Sequence, residues 1–446
     1  MKSTVEMQIQ YCPTTVTQEF IRCMTFVTTF LCVTVIAVGQ STSEWKFESQ
    51  RPEIAPVWSI DTKNTFDGMP TLMLGGGGKE YADGHWYQVV PVEPGAYYKF
   101  QGYFKSSKVE DTNRSILATI LWQNESGEWV DFIEFPVTHL NKNKEGWDVM
   151  EHLYKIPDDA KKAKLQLHYR WDADGTVNFG GVAFIKTTPS KPRPVRLATI
   201  HYRPRDSKSA HDNLVKFSEF IAVAGAQKAD IVCLPEAITK VGTQNDYVSA
   251  SEPIPGPSTK FLGEVAKKNH LYIVAGLVEK EGDVVYNTSV LIDRSGNLAG
   301  KYRKVSLPRE EIDGGMTPGN ALPVFDTDFG RIGMMICWDV TFPETARTLA
   351  RQGAEIIFLP IAGGSVKLAM ARAIENQVYL VSSTYDMITA VFDLQGNIMK
   401  EANEVYPVIV VDVDLNERRL WPWLGDFKSR IPREMPSQKA IRTKAD

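Results

Sequence analysis

Cys337 is the residue best placed for covalent chemistry in this chain of 446 residues. It ends a short apolar run, residues 331–336, which predicts a strand. A turn at Trp338 and Asp339 follows, and a helical pattern begins near Pro343. A thiol at such a strand-to-helix corner is held on rigid backbone, with its sulfur pointing out of the sheet. We therefore predict that Cys337 is a nucleophile.

A nucleophilic thiol needs a group that accepts its proton, and that group is usually a histidine. The last histidine in the sequence is His270, and no histidine lies in a motif near Cys337. A carboxylate is the alternative, and Glu236 closely follows the apolar run at residues 231–234. Partial burial at the end of a strand would raise its affinity for a proton. Glu236 is thus the candidate general base.

A third group is needed because attack on an amide or nitrile carbon builds negative charge on oxygen or nitrogen. A fixed ammonium group beside a backbone N–H would stabilise that charge. Lys301, Arg303 and Lys304 form a basic segment that could supply the cation, although an arginine does not exchange protons at useful pH. The backbone N–H of Trp338, next to the cysteine, is the candidate second donor.

In this order the three segments resemble the nitrilase, or carbon–nitrogen hydrolase, superfamily, which carries a Glu-Lys-Cys triad. The resemblance extends over roughly residues 195–420 and implies an αββα sandwich with Lys304 as the catalytic lysine. It is specific because several blocks match together. These blocks are Ala229-Asp230, the Leu-Pro-Glu ending in Glu236, Tyr302-Arg303-Lys304, Thr317-Pro318-Gly319, Cys337-Trp338-Asp339, Phe342-Pro343-Glu344 and Arg372-Ala373-Ile374-Glu375-Asn376.

The resemblance also implies a second glutamate that orients the substrate. Glu310 and Glu311 both lie before the Thr-Pro-Gly block, and we favour Glu311. Arg372 and Glu375 are expected to have a structural role. Because members of the family often form homo-oligomers, the resemblance also implies a homo-oligomer. One departure concerns the substrate subclass, because Ser306 stands where many members have a histidine.

The implied activity is hydrolysis of a non-peptide amide or carbamoyl bond in a small molecule, through a thioester and without a metal or organic cofactor. Two alternatives remain. One is a true nitrilase, although Asp339 is shorter than the glutamate that nitrile-hydrolysing members usually have after Cys-Trp and would alter the pocket floor. The other is a catalytically silent glycan-binding surface protein, which the intact Glu-Lys-Cys set argues against.

Residues 45–188 show short β-type runs separated by turn residues, which predicts an antiparallel β-sandwich of the jelly-roll kind. The pattern resembles galactose-binding-like, carbohydrate-binding-module domains, so a glycan is a second candidate partner. Five tryptophans could form a sugar-stacking platform or fill the core: Trp86, Trp122, Trp129, Trp147 and Trp171. A proline-rich linker, residues 189–194, precedes the hydrolase-like region at 195–446.

The N-terminal residues 1–39 contain an uncharged apolar run from Met24 to Val38, with a small-x-small ending at Ala37-Val38-Gly39. This run predicts a cleaved signal peptide or, as the alternative, an uncleaved anchor, and hence a secreted, periplasmic or cell-surface protein. Only Cys233 and Cys337 remain beyond it, so no disulfide framework is expected. The net charge of −4 and the absence of a basic stripe give no indication of nucleic-acid binding.

Overall fold

The computed structural model describes residues 42–421 and 425–434, with backbone alone for 131–136 and 138–144. The predicted export segment, with Cys12, Cys23 and Cys32, lies outside the described residues. All the described residues fall in one compact unit. Within them, no helix has both the length and the apolar character to cross a membrane.

The first half of the described chain consists of two antiparallel sheets. Its strands are β1 (Lys46–Glu48), β2 (Val57–Phe66), β3 (Met69–Gly75), β4 (Asp83–Pro91), β5 (Tyr97–Ser107), β6 (Ile116–Gln123), β7 (Trp129–Pro136), β8 (Thr138–Lys144), β9 (Trp147–Lys155), β10 (Lys162–Arg170) and β11 (Thr176–Thr187). One sheet has the order β1-β4-β10-β6-β7, and the other β2-β3-β11-β5-β9-β8. The strands expected from the period-two pattern are confirmed. A short helix that the pattern did not predict, α1 (Thr112–Ser115), lies between β5 and β6.

These two sheets share one hydrophobic core. It combines Trp86 of β4 and Leu165 of β10 with Leu74 of β3 and Phe100 of β5. Side chains alternate between the two faces of a strand, and in β5, for example, the alternate residues Tyr98, Phe100 and Phe104 contribute to this core. The β-rich character expected from the sequence is confirmed, whereas the jelly-roll arrangement stays a prediction.

The five tryptophans of this region divide between the core and the surface. Trp86, Trp122 and Trp147 are buried, whereas Trp129 and Trp171 are 47% and 48% exposed. Trp86 and Trp122 belong to the shared core, so the core interpretation is right for these two. Trp147 is buried outside that core, edge-on to Phe66. Only two of the five remain available for stacking on a ligand.

The second half alternates strands and helices. Its strands are β12 (Pro194–Ile200), β13 (Ile231–Cys233), β14 (Tyr272–Glu281), β15 (Val284–Ile292), β16 (Leu298–Arg303), β17 (Val324–Asp326), β18 (Arg331–Met334), β19 (Ile356–Ile361), β20 (Tyr379–Thr384), β21 (Thr389–Phe392), β22 (Ile398–Ala402), β23 (Val408–Asp414), β24 (Leu420–Trp421) and β25 (Gly425–Asp426). Its helices are α2 (Ala210–Ala226), α3 (Pro257–Asn269), α4 (Arg309–Asp313), α5 (Pro343–Arg351), α6 (Val366–Asn376) and α7 (Phe427–Arg430).

Two six-stranded sheets stack face to face in this half, with the orders β16-β15-β14-β13-β12-β23 and β17-β18-β19-β20-β21-β22. A single apolar layer between them joins, for example, Val274 of the first sheet to Phe358 of the second. Helices α2 and α3 cover the outer face of the first sheet, and α5 and α6 that of the second. The order of layers is therefore helix, sheet, sheet, helix.

The sequence explains why a helix such as α2 packs in this way. Ser209 caps it by accepting a hydrogen bond from the Asp212 N–H, and Leu214, Phe217 and Ile221 recur at helical spacing on its buried face. The parallel pairing of β12 with β13, and of β18 with β19, buries both faces of these strands. As a result, the loops that follow the strands carry the polar side chains of the site.

Candidate active site

Cys337 lies at a sharp corner after β18. The strand ends at Met334, two residues earlier than the sequence predicts, and residues Cys337–Thr341 form a 3-10 helix where a turn was expected. The φ of Cys337 is +43°, a strained value for a residue with a Cβ. Its Sγ is partly buried and lies 3.8 Å from the carbonyl oxygen of Gly363. The corner therefore holds the thiol in one position.

Asp339 stabilises the backbone of this corner through hydrogen bonds. It is fully buried, and its carboxylate accepts hydrogen bonds from the Tyr302 hydroxyl at 2.7 Å, the Ile336 N–H at 2.9 Å and the Ser306 N–H at 3.0 Å. The expectation that the shorter acid alters the pocket floor stays a prediction. The acceptor sites of Asp339 are occupied by the scaffold, so it acts on the position of Cys337.

Arg372 supports the other end of the same 3-10 helix. Its guanidinium donates to the carbonyl oxygens of Val340 and Thr341 and to Glu375 Oε1. It lies on the buried face of α6 and is 5% exposed. These contacts agree with the structural role expected for Arg372 and Glu375.

Glu236 follows β13 and lies in the same buried region as the cysteine. Its Oε1 accepts from Lys304 Nζ at 3.0 Å and Asn287 Nδ2 at 2.7 Å, and its Oε2 accepts from the Ala362 N–H at 2.9 Å. The side chain is 5% exposed. Gly276 is required opposite it, because a Cβ there would lie 2.7 Å from the Glu236 Cα. The carboxylate is therefore held from three directions.

Lys304 follows β16 and is the basic residue that reaches Glu236. It is 1% exposed, and its Nζ lies 3.0 Å from Glu236 Oε1 and 2.6 Å from Glu311 Oε1. Lys301 and Arg303 both bind Glu279 instead, away from this cluster. The geometry thus separates Lys304 from the other two cations that the sequence offered.

The loop after Lys304 approaches the strand closely. The Lys304 N–H donates to the Asn287 carbonyl, and the Lys304 carbonyl accepts from the Gly319 N–H, both over 2.8 Å. A Cβ at Gly319 would lie 2.2 Å from the Arg303 carbonyl oxygen, so only glycine fits this position. The Thr-Pro-Gly block therefore clamps the backbone of the lysine.

Glu311 and Glu310 have different environments, although they are neighbours on α4. Glu311 is 4% exposed and contacts Lys304, whereas Glu310 is exposed to solvent. Helix α4 turns one side chain toward the site and the other away from it. Of the two candidates, the structure brings only Glu311 to the cluster.

Charges and burial shift the protonation of these groups. Burial alone would lower the pKa of Lys304, but the negative charges of Glu236 and Glu311, and of Cys337 when it is ionised, outweigh it and raise the pKa. Burial raises the pKa of Glu311 to about 6; Lys304 opposes this shift and Glu236 adds to it. Burial and then the charge of Glu236 raise the pKa of Cys337 to about 12, against the opposing effect of Lys304. The resting site therefore holds a neutral thiol beside a charged lysine.

Asn287 and Tyr385 belong to the site but were not predicted from the sequence. Asn287 Nδ2 donates to Glu236 Oε1 and to Glu311 Oε1 at 2.9 Å, and thus joins the two carboxylates. The Tyr385 hydroxyl donates to the backbone carbonyl of Glu236 at 2.8 Å. A buried asparagine inside the apolar strand β15 is a signal that could have identified the first of them. Tyr385 gives no comparable signal.

Trp338 has an exposed side chain beside this buried cluster. Its indole is 43% exposed and lies edge-on to Phe342, which is 40% exposed. Its backbone N–H lies in the first turn of the 3-10 helix, where N–H groups have no partner within the helix.

Among the described residues, no group of three or more His, Cys, Asp or Glu side chains could hold a metal ion.

The sequence relationships agree with this geometry. The family model described as carbon-nitrogen hydrolase matches residues 196–422, a range that includes Glu236, Lys304 and Cys337. The chain belongs to the carbon-nitrogen hydrolase family. It is therefore a hydrolase of carbon–nitrogen bonds other than peptide bonds.

Two curated relatives and one solved structure illustrate the range of similarity. Omega-amidase NIT2 of Homo sapiens is 29% identical over 263 residues, which cover 53% of this chain and 92% of that protein. A nitrilase of Pyrococcus abyssi is 39% identical over 180 residues, 38% of this chain and 68% of that protein. In the crystal structure of Saccharomyces cerevisiae Nit3, the aligned region is 27% identical in sequence and has a TM-score of 0.44. It covers 50% of this chain and 90% of the Nit3 chain.

Proposed function

We propose that this carbon–nitrogen hydrolase cleaves a non-peptide amide bond of a small molecule by covalent catalysis at Cys337. The observation that carries the proposal is the buried contact of Lys304 with Glu236 and Glu311 beside the cysteine. A fully buried lysine between two carboxylates is costly to maintain for stability alone. A site that must stabilise a developing negative charge gives it a purpose.

In the proposed first half-reaction, Glu236 accepts the proton of the Cys337 thiol as the sulfur attacks the carbonyl carbon. Because the pKa of the thiol is raised to about 12, the proton leaves in concert with attack, and no stable thiolate precedes it. The Lys304 ammonium and the Trp338 N–H stabilise the oxyanion. Glu236 then passes the proton to the departing ammonia or amine, which leaves a thioester on Cys337.

In the second half-reaction, Glu236 removes a proton from water, and the resulting nucleophile attacks the thioester carbon. The tetrahedral intermediate collapses, the carboxylic acid leaves, and the sulfur recovers its proton. Glu311 keeps Lys304 aligned and presents its second oxygen, which has no hydrogen-bond partner among the described residues, to the substrate. No step requires a metal or an organic cofactor.

The relatives support amide hydrolysis as the first choice. The similarity to the omega-amidase extends over 92% of that protein, whereas the similarity to the Pyrococcus nitrilase covers 68% of its length. The higher identity of the nitrilase, 39%, keeps nitrile hydrolysis as the alternative. The acyl group and the amine are left open by both relatives.

The test is a screen of the purified protein against amides, ureido acids and nitriles, with released ammonia or amine as the readout. Cys337→Ala should abolish turnover without changing the fold, and denaturing mass spectrometry of the quenched wild-type reaction should show an acyl adduct on Cys337. Cys233→Ala is the matched control, because Cys233 is the other described cysteine and is fully buried in the core. Near-normal activity of Cys337→Ala would contradict the mechanism.

We further propose that residues 1–39 direct export and that the sandwich, residues 45–188, is a galactose-binding-like domain joined by the 189–194 linker to the hydrolase at 195–446. The apolar run before Gly39 and the shared core of the two N-terminal sheets support these two proposals. N-terminal sequencing of the protein from its native host tests export. An intact Met1 in a soluble cytoplasmic fraction would contradict it, and an intact Met1 in membranes would indicate the anchored alternative.

We also propose that the protein is a homo-oligomer, which rests on the family resemblance. Light scattering during gel filtration would give the mass of the particle directly. A mass equal to that of one 50.0 kDa chain at micromolar concentration would contradict this proposal.

A further inference from the structure

A polar groove lies on the outer face of the five-stranded sheet. In β10, Leu165 and Leu167 face the sandwich core, so Gln166 and His168 between and beyond them face outward. His168 is directly opposite His85 of β4 in the sheet register. A cavity of about 380 Å³ opens above these residues, within the size range of small-ligand sites.

The floor of the groove is a fixed hydrogen-bond network. Thr119 Oγ1 lies 2.9 Å from both Gln166 Oε1 and His168 Nε2, and Gln166 Nε2 lies 2.7 Å from His85 Nε2. These four side chains are buried on three neighbouring strands. The network therefore presents planar polar groups on rigid backbone, and a ligand would meet them without reorganisation.

Arg170 and Asp83 line the more accessible part of the groove. Arg170 Nε lies 3.3 Å from Asp83 Oδ1, but this buried Nε makes no hydrogen bond to any described residue. Arg170 Nη2 approaches His168 Nδ1 at 3.2 Å. A guanidinium beside a carboxylate offers adjacent donors and acceptors, which match pairs of neighbouring hydroxyl groups.

Trp129 gives the groove an aromatic rim. Its side chain is 47% exposed, and it begins β7 directly after a closed turn in which the Asn124 N–H donates to the Glu128 carbonyl. Gly127 in that turn has a φ of +84°, which favours glycine. The indole is thus an exposed apolar surface held by a rigid hairpin.

The described charged side chains around the groove are paired. Lys164 binds Glu48, and Arg170 pairs with Asp83, so each of these two cations has a carboxylate partner. Burial lowers the pKa of His85 to about 4 and lowers that of His168 as well, so both rings are neutral near pH 7. A balanced groove has no electrostatic preference for an anion or a cation.

From these features we infer that the groove binds a neutral sugar unit of a glycan, with the ring stacked on Trp129 and its hydroxyls bound by Asp83 and Arg170. The inference rests on the proposal that the sandwich is a galactose-binding-like domain, and it locates a binding site on one face of it. An uncharged ligand with an apolar ring face and many hydroxyls fits an aromatic rim, planar polar side chains and zero net charge. Such binding would hold the hydrolase on a polysaccharide surface.

The experiment is calorimetric titration of the full chain with neutral hexasaccharides of glucose, xylose and mannose and with an oligogalactoside. Saturable binding of at least one of these is expected. Trp129→Ala and Arg170→Ala should each weaken that binding by about tenfold or more. Tyr406→Ala is the control because its ring is 69% exposed and lies between β22 and β23, in the other half of the chain, and its binding should stay within about twofold of wild type. Trp171 does not serve as a control, since Arg170 lies over its ring.

Three results would overturn the inference: no binding of any neutral probe, binding that both groove variants leave unchanged, or selective binding of polygalacturonate or a sulfated oligosaccharide. Thermal unfolding of each variant checks that a loss of binding is not a loss of fold.

Cys337→Ala keeps this test independent of the proposed amide hydrolysis, because it removes the nucleophile and should bind the sugar as wild type does. Sugar binding without hydrolysis would contradict only the proposed function, and hydrolysis without sugar binding would contradict only this inference.

Discussion

The Tyr302 hydroxyl donates a hydrogen bond to Asp339 Oδ2 over 2.7 Å, and this bond links the two stacked sheets directly beneath the site. Tyr302 lies two residues before Lys304, and Asp339 lies two residues after Cys337. Both partners are buried, with exposures of 1% and 0%. The bond therefore sets the distance between the strand end that carries the lysine and the corner that carries the thiol.

We expect Tyr302→Phe to weaken both the fold and catalysis. Removing the hydroxyl leaves part of a buried carboxylate without its donor, which should lower the free energy of unfolding by about 1–3 kcal/mol. Because a small displacement of the nucleophile is costly, kcat should fall by about tenfold to 100-fold. Urea unfolding and steady-state kinetics on an amide substrate measure the two effects.

The control for this prediction is Tyr286→Phe. Tyr286 lies on the neighbouring strand β15, is only partly buried, and contacts Arg303 through its ring rather than its hydroxyl. That substitution should leave kcat and stability close to wild type. Equal effects of the two substitutions would show that the Tyr302–Asp339 bond does not position the site.

We expect the two neighbouring glutamates of α4 to differ sharply. Glu311→Gln removes the charge that contacts Lys304 at 2.6 Å and should lower kcat/KM by about 100-fold. Glu310→Gln, on the exposed side of the same helix, should change kcat/KM by less than about twofold. A larger loss in Glu310→Gln would reverse the assignment. Kinetics of both variants on one amide substrate decide between them.

Glu311 and Glu310 should also differ in how they affect the pH dependence of the free energy of unfolding. Burial raises the pKa of Glu311 from its ordinary 4.5 to about 6, so the folded state retains a proton that the unfolded state releases. The stability from this group is complete below pH 4.5 and is lost as the pH rises through about 6. Glu311→Gln should therefore remove a downward slope of unfolding free energy across this window, and Glu310→Gln should keep it. Urea unfolding at several pH values measures the slope.

Much of the site was predictable because it depends on local sequence. Cys337 and Glu236 each follow a strand that an apolar run identifies, whereas Lys304 follows β16, a mixed polar strand that the sequence did not predict. The structure brings all three residues to one buried region. The choice of Lys304 over Lys301 needed the family resemblance, because both lysines lie in one basic segment. The geometry separates them, because Lys304 contacts Glu236 and Glu311 whereas Lys301 contacts Glu279.

The remaining features depend on contacts between distant segments, which sequence patterns do not contain. Asn287 joins Glu236 to Glu311 across 51 and 24 residues of sequence. The hydrogen bond that Asp339 accepts from the Tyr302 hydroxyl joins residues 37 positions apart in the sequence, so side-chain length alone did not reveal it. The exposure of Trp129 beside the burial of Trp122 depends on which face of each strand meets the second sheet.

We expect Glu236→Gln to lower the pKa of Cys337 while abolishing amide hydrolysis. The charge of Glu236 helps to raise that pKa to about 12, and its removal leaves Lys304, which favours the thiolate. The rate of alkylation by iodoacetamide should therefore begin to rise at a lower pH in the variant than in wild type. Mass spectrometry of peptides measures the rate at each pH.

Cys233 is the internal control for this labelling experiment. It is fully buried, and burial raises the pKa of its thiol, so it should react more slowly than Cys337 in both proteins. An alkylation profile of Cys337 that is the same in wild type and Glu236→Gln would show that Glu236 does not act on the thiol. Faster labelling of Cys233 than of Cys337 would contradict the accessibility of the nucleophile.

We expect amides to be better substrates than nitriles that share the same carbon skeleton. Asp339 is one methylene shorter than the glutamate that a nitrilase usually has at this position, and it draws the corner toward Tyr302 and Ser306 through its hydrogen bonds. We expect the position that these bonds give the thiol and the Trp338 N–H to favour stabilising a carbonyl oxygen in the tetrahedral intermediate. Values of kcat/KM on pairs of an amide and a nitrile with the same carbon skeleton test this prediction. If the fold is kept, Asp339→Glu should lower the ratio of the amide kcat/KM to the nitrile kcat/KM. Higher kcat/KM for the nitriles throughout the panel would instead place the enzyme among the true nitrilases.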